Sequence, residues 1–270
     1  MTDEDLSDFL DSDALSNDPE DVNIGNYHDG NDMNDLTGKE WIKFTKSWKI
    51  YRPRSRGQSE KDHPAKFPEE LVEDFVGFFT QEGDWVLDPF LGTGSTLVGC
   101  RSMGRNAVGI ELTEKYAEVA KDRARQQSLN PVELEVVNED CRDALPELDR
   151  EFDYCLTSPP YWNMLKKSRG GVESEHKKRE QEGLDTKYSD SKRDLGNIQE
   201  YEGFLDELEQ IFLEVYDVLK DGGYLTVVIQ NIRTEDGEMK PLAWDLATRL
   251  GETYELKQEK LWLQDDKPLG

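Results

Sequence analysis

Hydrophobic positions along the 270-residue chain change their period several times, and each change predicts an element. Leu71, Phe75, Phe78 and Phe79 recur at helical spacing between Glu69 and Gln81, and Pro68 suits the first turn of that helix. Trp85-Val-Leu-Asp88 reads as a short buried strand, and Gly94 to Met103 as the helix that follows. Ala107–Leu112 predicts a second strand. Thr113 is placed to cap a helix running to about Gln127, with Glu114 in the first turn, where a helix favours negative charge. Val132–Val137 alternates as a third strand, and Phe152–Thr157 forms a fourth. From Asn197 to Lys220, Leu205, Leu208, Phe212, Val215 and Leu219 share one face of a long amphipathic helix. Tyr224–Ile229, a helix over Leu242–Leu250 and a strand over Tyr254–Leu263 complete the set. Strands alternating with helices imply an α/β fold around a doubly wound, mainly parallel sheet with right-handed crossovers.

Three stretches stand outside this pattern. Residues 1–38 contain twelve acidic residues and no Lys or Arg, a composition that predicts a disordered acidic tail ahead of one domain over 39–270. This tail accounts for much of a net charge of −26, unusual for a nucleic-acid binder. Between Trp41 and Lys66 the sign reverses: Lys46, Lys49, Arg52, Arg54, Arg56, Lys61 and Lys66 face only Glu60 and Asp62. Residues 163–196 form a long polar insertion rich in Lys and Arg. Both basic stretches are candidate phosphate contacts, or simply solvated surface. Three cysteines (Cys100, Cys141, Cys155) and no export signal point to a reducing cytoplasm, and no stretch is long and apolar enough to span a membrane. Three histidines and no paired cysteine spacing argue against a structural zinc site, so no metal is expected.

Candidate chemistry lies in two phrases. In Asp88-Pro-Phe-Leu-Gly-Thr-Gly-Ser95 a strand enters a turn at Gly92 and Gly94, and the next helix points its free N–H groups at whatever sits there. Asp88 ends the strand, where it can reach the amino group of a ligand, and Pro89 and Phe90 can wall a pocket. Glu111 ends the next strand, where an acid bonds ribose hydroxyls in folds of this kind. No lysine follows the glycines in the pattern of a phosphate-binding loop, which argues against an ATPase. Asp140 is placed either to accept from a purine amino group or to cap the turn after it. The second phrase, Thr157-Ser-Pro-Pro-Tyr-Trp162, sets Ser158, Pro159, Pro160 and Tyr161 just after the fourth strand.

Taken together and in this order, the two phrases resemble those of the S-adenosylmethionine-dependent DNA amino-methyltransferases, over roughly residues 41–270. The resemblance implies a Rossmann-like methyltransferase fold, S-adenosylmethionine as cofactor and double-stranded DNA as partner. It also implies a restriction–modification setting, with a cognate endonuclease or a sheet-completing protein as candidate partners. Lys66-Phe67-Pro68 resembles the family's motif ahead of the glycine phrase, with Phe67 against the cofactor or in the core. The catalytic role falls to Ser158-Pro-Pro-Tyr161, whose hydroxyl and Pro159 carbonyl would hold the hydrogens of a base amino group while Tyr161 stacks on the flipped base. Ser ahead of the two prolines is commoner among cytosine-N4 enzymes of this family, and Asp or Asn among adenine-N6 enzymes, which favours cytosine N4. Adenine N6, an RNA base methyltransferase and a non-catalytic specificity subunit are the alternatives. Cytosine-C5 chemistry needs a cysteine after a proline, and none of the three has that setting. Members of the family end with a seventh strand antiparallel beside the sixth. No segment here carries its pattern, so the expected sheet lacks it, through truncation, a sheet-completing partner or a differently built edge.

Overall fold

A computed structural model describes residues 31–51, 68–125, 131–162, 191, 193–234 and 236–263. Its centre is a parallel sheet of five strands: β2 (Trp85–Asp88), β3 (Asn106–Ile110), β4 (Leu134–Val137), β5 (Phe152–Thr157) and β6 (Leu219–Val227), in the order β4-β3-β2-β5-β6. Helices α2 (Glu69–Phe79), α3 (Ser95–Ser102) and α4 (Glu114–Ala124) contribute to one apolar core. The opposite core takes α5 (Cys141–Ala144), α6 (Tyr201–Val218) and α7 (Leu242–Leu250). Successive strand residues divide between the two: Val86 and Tyr154 enter the first, Leu87 and Cys155 the second. A strand buried on both faces needs an apolar run rather than alternation, which is what Val86-Leu87 and Tyr154-Cys-Leu156 supply. The doubly wound expectation therefore holds. No described helix is long and apolar enough to cross a membrane.

Several boundaries differ from the sequence reading, each for a local reason. The long amphipathic helix begins at Tyr201, after a single turn of 3-10 helix at Leu195–Asn197, and ends at Val218. Leu219 leaves it to pair with Phe152 at the start of β6, and Lys220–Gly223 bulges out before Tyr224 pairs with Tyr154. Lys220 covers that bulge through a 2.6 Å ion pair to Asp153. Thr113 stands at the N-cap of α4 without capping it by its side chain, because its hydroxyl and its N–H both turn to the Glu111 carboxylate.

Both chain ends of the described fold correct the expected domain plan. The expected tail extends to residue 38, yet Asn34 is buried and its amide donates to the Phe78 carbonyl at 2.6 Å. Asp35 pairs with the buried Arg105 at 3.0 Å, so the folded part already includes this segment; residues 1–30 lie outside the described residues. The Tyr254–Leu263 strand reduces to β7 (Leu261–Leu263) and does not join the central sheet. It pairs in parallel with β1 (Trp48–Ile50), whose apolar residues were masked by the surrounding basic island. Lys260 fastens the same junction by donating to the carbonyls of Phe44 and Lys46, at the end of α1 (Gly38–Phe44). Among the described residues β4 and β6 are the two edges of the central sheet, and this parallel pair stands apart from it as a sheet of two strands. Of the basic island, Lys46 and Lys49 are described, and Lys49 is already paired with Asp74 on α2.

Close helix contact requires glycine at one place in particular. A Cβ at Gly99 on α3 would stand 2.4 Å from Cγ1 of Val72 on α2. Gly99→Ala is therefore expected to lower unfolding free energy by about 1–3 kcal/mol, read by thermal or urea melts. An unchanged midpoint would show that the two helices are looser than described.

Candidate active site

The strand order reverses between β2 and β5, since β3 follows β2 on one side and β6 follows β5 on the other. A crevice opens at the carboxyl ends of strands at such a point. Here it is a solvent-open cleft of about 880 Å³, and its lining draws on the first phrase (Pro89, Phe90, Gly92, Thr93, Ser95), on Glu111 and Thr113 after β3, on Asp140 after β4, and on Ser158 and Pro160 after β5. The sequence-predicted residues thus converge from four strand ends.

The glycine turn fits its task closely. Gly92 and Gly94 have φ of +55° and +84°, the left-handed region that side chains resist. A Cβ on Gly94 would also stand 3.0 Å from that of Ala120, so the turn is pressed against α4. Buried Arg123 reaches back from α4 to donate to the Thr93 carbonyl and to pair with Glu69, tying the turn to α2. No side chain caps α3, whose first-turn N–H groups therefore open toward the cleft. The hydroxyls of Thr93 and Ser95 are buried without a protein partner.

Three carboxylates sit at the strand ends in three different states. Asp88 is 1% exposed and lies beneath the cleft lining rather than in it. Its Oδ1 accepts from Thr157 Oγ1 at 2.6 Å and from the Phe90 N–H at 3.1 Å, and its Oδ2 accepts from Thr96. Burial pushes its pKa up to about 6 despite those donors. Glu111 accepts the Gly92 N–H and the Thr113 N–H, each at 2.8 Å, and burial pushes it up to about 7. Asp140 behaves oppositely. Burial alone would raise it, but hydrogen bonds from Arg142 and the charges of Arg142 and Arg193 hold it below the usual carboxylate range. It also caps α5 through the Arg142 N–H at 3.0 Å, so the capping alternative is realised while the residue still faces the cleft.

At the second phrase Ser158 and Pro160 face the cleft. Pro159 is buried, and Tyr161 is half-buried against the α6 core with its hydroxyl hydrogen-bonded to that of Ser158. Burial raises the Tyr161 pKa, and the Ser158 bond opposes that rise. Trp162 packs edge-on to Tyr201 at 5.1 Å. Pro68 is the N-cap of α2, while Lys66, Phe67 and residues 163–190 lie outside the described residues. Thr157, Thr93, Ser95, Arg142 and Arg193 were not singled out from the sequence. Thr157, Thr93 and Ser95 carry a signal there as members of the two phrases, and Arg142 and Arg193 carry none.

This set of groups fits S-adenosylmethionine. Unpartnered hydroxyls and an open helix N-terminus suit a carboxylate, Glu111 suits a ribose diol, and Phe90 and Leu112 offer apolar walls to an adenine near Asp140. A family model described as DNA methylase matches residues 11–122 and 152–266. The Type II methyltransferase M.BglI of Bacillus subtilis is 39% identical over 89 residues, 33% of this chain and 25% of that protein. M.HinfI of Haemophilus influenzae, also a Type II methyltransferase, is 37% identical over 102 residues, 38% of this chain and 25% of that protein. The matched stretch therefore spans about a quarter of these curated relatives. Among solved structures, NSun6 from Pyrococcus horikoshii with SFG gives a TM-score of 0.48 at 14% identity, covering 79% of this chain and 49% of that one.

The Glu111 carboxyl gives a pH dependence with a defined sign. Its native pKa of about 7 lies above the ordinary 4.5, so between these values the native state holds a proton that the unfolded chain has lost. Its contribution is therefore present below pH 4.5 and lost as pH rises through 7. Between pH 5 and 8 the difference in unfolding free energy between Glu111→Gln and the parent is expected to move toward the variant by up to about 3 kcal/mol. Parallel pH profiles in denaturant melts would contradict this.

Proposed function

The chain belongs to the DNA methylase family, and from that premise we propose that it transfers a methyl group from S-adenosylmethionine to the exocyclic amino group of a base in double-stranded DNA, with cytosine N4 as the target. One observation carries the reading: Ser158 and Pro160 line the same cleft as Phe90, Gly92, Glu111 and Asp140. Acceptors for an amino group and a seat for a methyl donor therefore share one wall.

When bound, S-adenosylmethionine supplies an electrophilic methyl on a cationic sulfur. The protein's task is to make a poor nucleophile attack it, because the lone pair of a base amino nitrogen is delocalised into the ring. The Ser158 hydroxyl and the Pro159 carbonyl accept the two amino hydrogens, which favours a pyramidal nitrogen with its lone pair aimed along the cleft. Two successive prolines leave no backbone N–H to compete and restrict the turn that presents that carbonyl. Tyr161, bonded to Ser158, offers its ring to a base extruded from the duplex. The nitrogen–carbon bond forms as the carbon–sulfur bond breaks, and the surplus proton leaves the nitrogen for solvent. No covalent enzyme intermediate is required, so positioning is the main contribution. Cytosine N4 is favoured over adenine N6 by Ser158 ahead of the prolines, on the family resemblance.

Nucleoside mass spectrometry of duplex DNA incubated with the protein and S-adenosylmethionine tests the reading. N4-methylcytosine is expected; N6-methyladenine would keep the reaction and replace the base, and methylation confined to RNA would replace the substrate. Ser158→Ala is expected to lower the transfer rate by about 10²-fold while cofactor affinity changes little. Unimpaired transfer by that variant would remove Ser158 from the mechanism.

A further inference from the structure

Asp140 uses up its hydrogen-bonding capacity within the protein. Oδ1 accepts from the Arg142 N–H at 3.0 Å and from Arg142 Nε at 2.9 Å. Oδ2 accepts from Arg142 Nη2 at 2.7 Å and from Arg193 Nε at 2.7 Å. A carboxylate offers about four lone-pair sites, so none remains for a ligand facing it across the cleft.

The four donors are not equivalent. Three belong to Arg142, which sits in the α5 cap itself and is held from two further sides, by Glu207 on α6 at 2.7 Å and by the Arg193 carbonyl at 2.7 Å. The fourth comes from a side chain that is 51% exposed and has a second seat ready. Arg193 Nη2 already pairs with Asp143 at 2.6 Å, and Asp143 is itself 47% exposed. The Arg193 backbone carbonyl stays fixed by Arg142, while its half-exposed guanidinium spans buried Asp140 and exposed Asp143 and can turn fully to the latter. Both Arg193 and Asp140 line the cleft.

We propose that the Arg193–Asp140 ion pair is a displaceable stand-in for the 6-amino group of the cofactor's adenine, so that Arg193 sets both the affinity of the cleft and its preference for a 6-aminopurine. The proposal rests on the reading of this cleft as the S-adenosylmethionine site. Without ligand, Arg193 keeps a buried carboxylate fully paired. With ligand, the purine amino group takes the vacated position on Oδ2 and Arg193 falls back on Asp143. Arg193 is a positioning residue in this scheme and touches no reacting atom.

Calorimetric titration of the full chain with S-adenosylhomocysteine, and with its hypoxanthine counterpart that lacks the 6-amino group, tests the exchange. Arg193→Ala is expected to tighten the adenine ligand by about threefold to tenfold and leave the hypoxanthine ligand within about twofold of the parent. Arg193→Gln, which keeps length without charge, should act in the same direction. Asp143→Asn should do the reverse for the adenine ligand, because Arg193 then has no second seat. Equal shifts for both ligands, or weaker adenine binding in Arg193→Ala, would overturn the exchange while leaving the cofactor site in place. No binding of S-adenosylhomocysteine by the parent protein would overturn the cofactor reading and the exchange with it.

Discussion

A carboxylate that touches almost no water organises this molecule. Asp88 is bonded by donors from three separate pieces of chain: the Phe90 N–H of the turn, the Thr96 hydroxyl on α3 and the Thr157 hydroxyl at the end of β5. Its pKa of about 6 against an ordinary 3.8 corresponds to about 3 kcal/mol by which the site favours the protonated form. Buried polar groups on that scale are tolerated where both oxygens find donors. The geometric consequence outweighs the energetic one. The Thr157–Asp88 bond ties the end of β5 to the end of β2, and Ser158 is the next residue. The spacing between the glycine turn and the Ser-Pro-Pro corner is thus fixed from beneath the cleft, by a residue that does not line it.

The sequence made the central strands and their order of appearance readable because each is a short apolar run between glycine or polar breaks. Trp85–Asp88, Phe152–Thr157 and the helix Leu242–Leu250 are found at the expected residues. Misreadings cluster where partners distant in sequence decide the outcome. Nothing local to Leu219 says that it will leave a helix to pair with Phe152, and nothing near Trp48 says that its strand partner is Leu261, more than two hundred residues away. The site divides in the same way. Glycines and prolines announce themselves through backbone constraint, so the turn and the Ser-Pro-Pro corner were legible. Arg193 was counted among the charges of a polar insertion, because only the fold reveals that it returns to Asp140.

Asp88 is engaged by the protein on both of its oxygens. A strand-end acid next to a glycine turn invites the reading of a ligand contact for the methionine amino group. Its three donors instead come from the protein, while the unpartnered polar atoms in the cleft are the hydroxyls of Thr93 and Ser95. Polar atoms left open at a ligand cleft, rather than those already satisfied beneath it, mark where a ligand's polar groups are received.

The two halves of the site differ in how the chain builds them. The cofactor half is framed by strand ends, a glycine turn and helices packed on both faces of the sheet, all within Asp88–Asp140 and Ser158. On the other side, Trp162 packs on Tyr201 after the Ser-Pro-Pro corner, and Arg193, Asp194 and buried Leu195 line the same cleft as the glycine turn. Arg193 stands beside the cap of α5, its guanidinium paired with Asp140 and Asp143 and its carbonyl held by Arg142. One residue there ties the return of the chain to the strand end after β4, so the two sides of the cleft are set together.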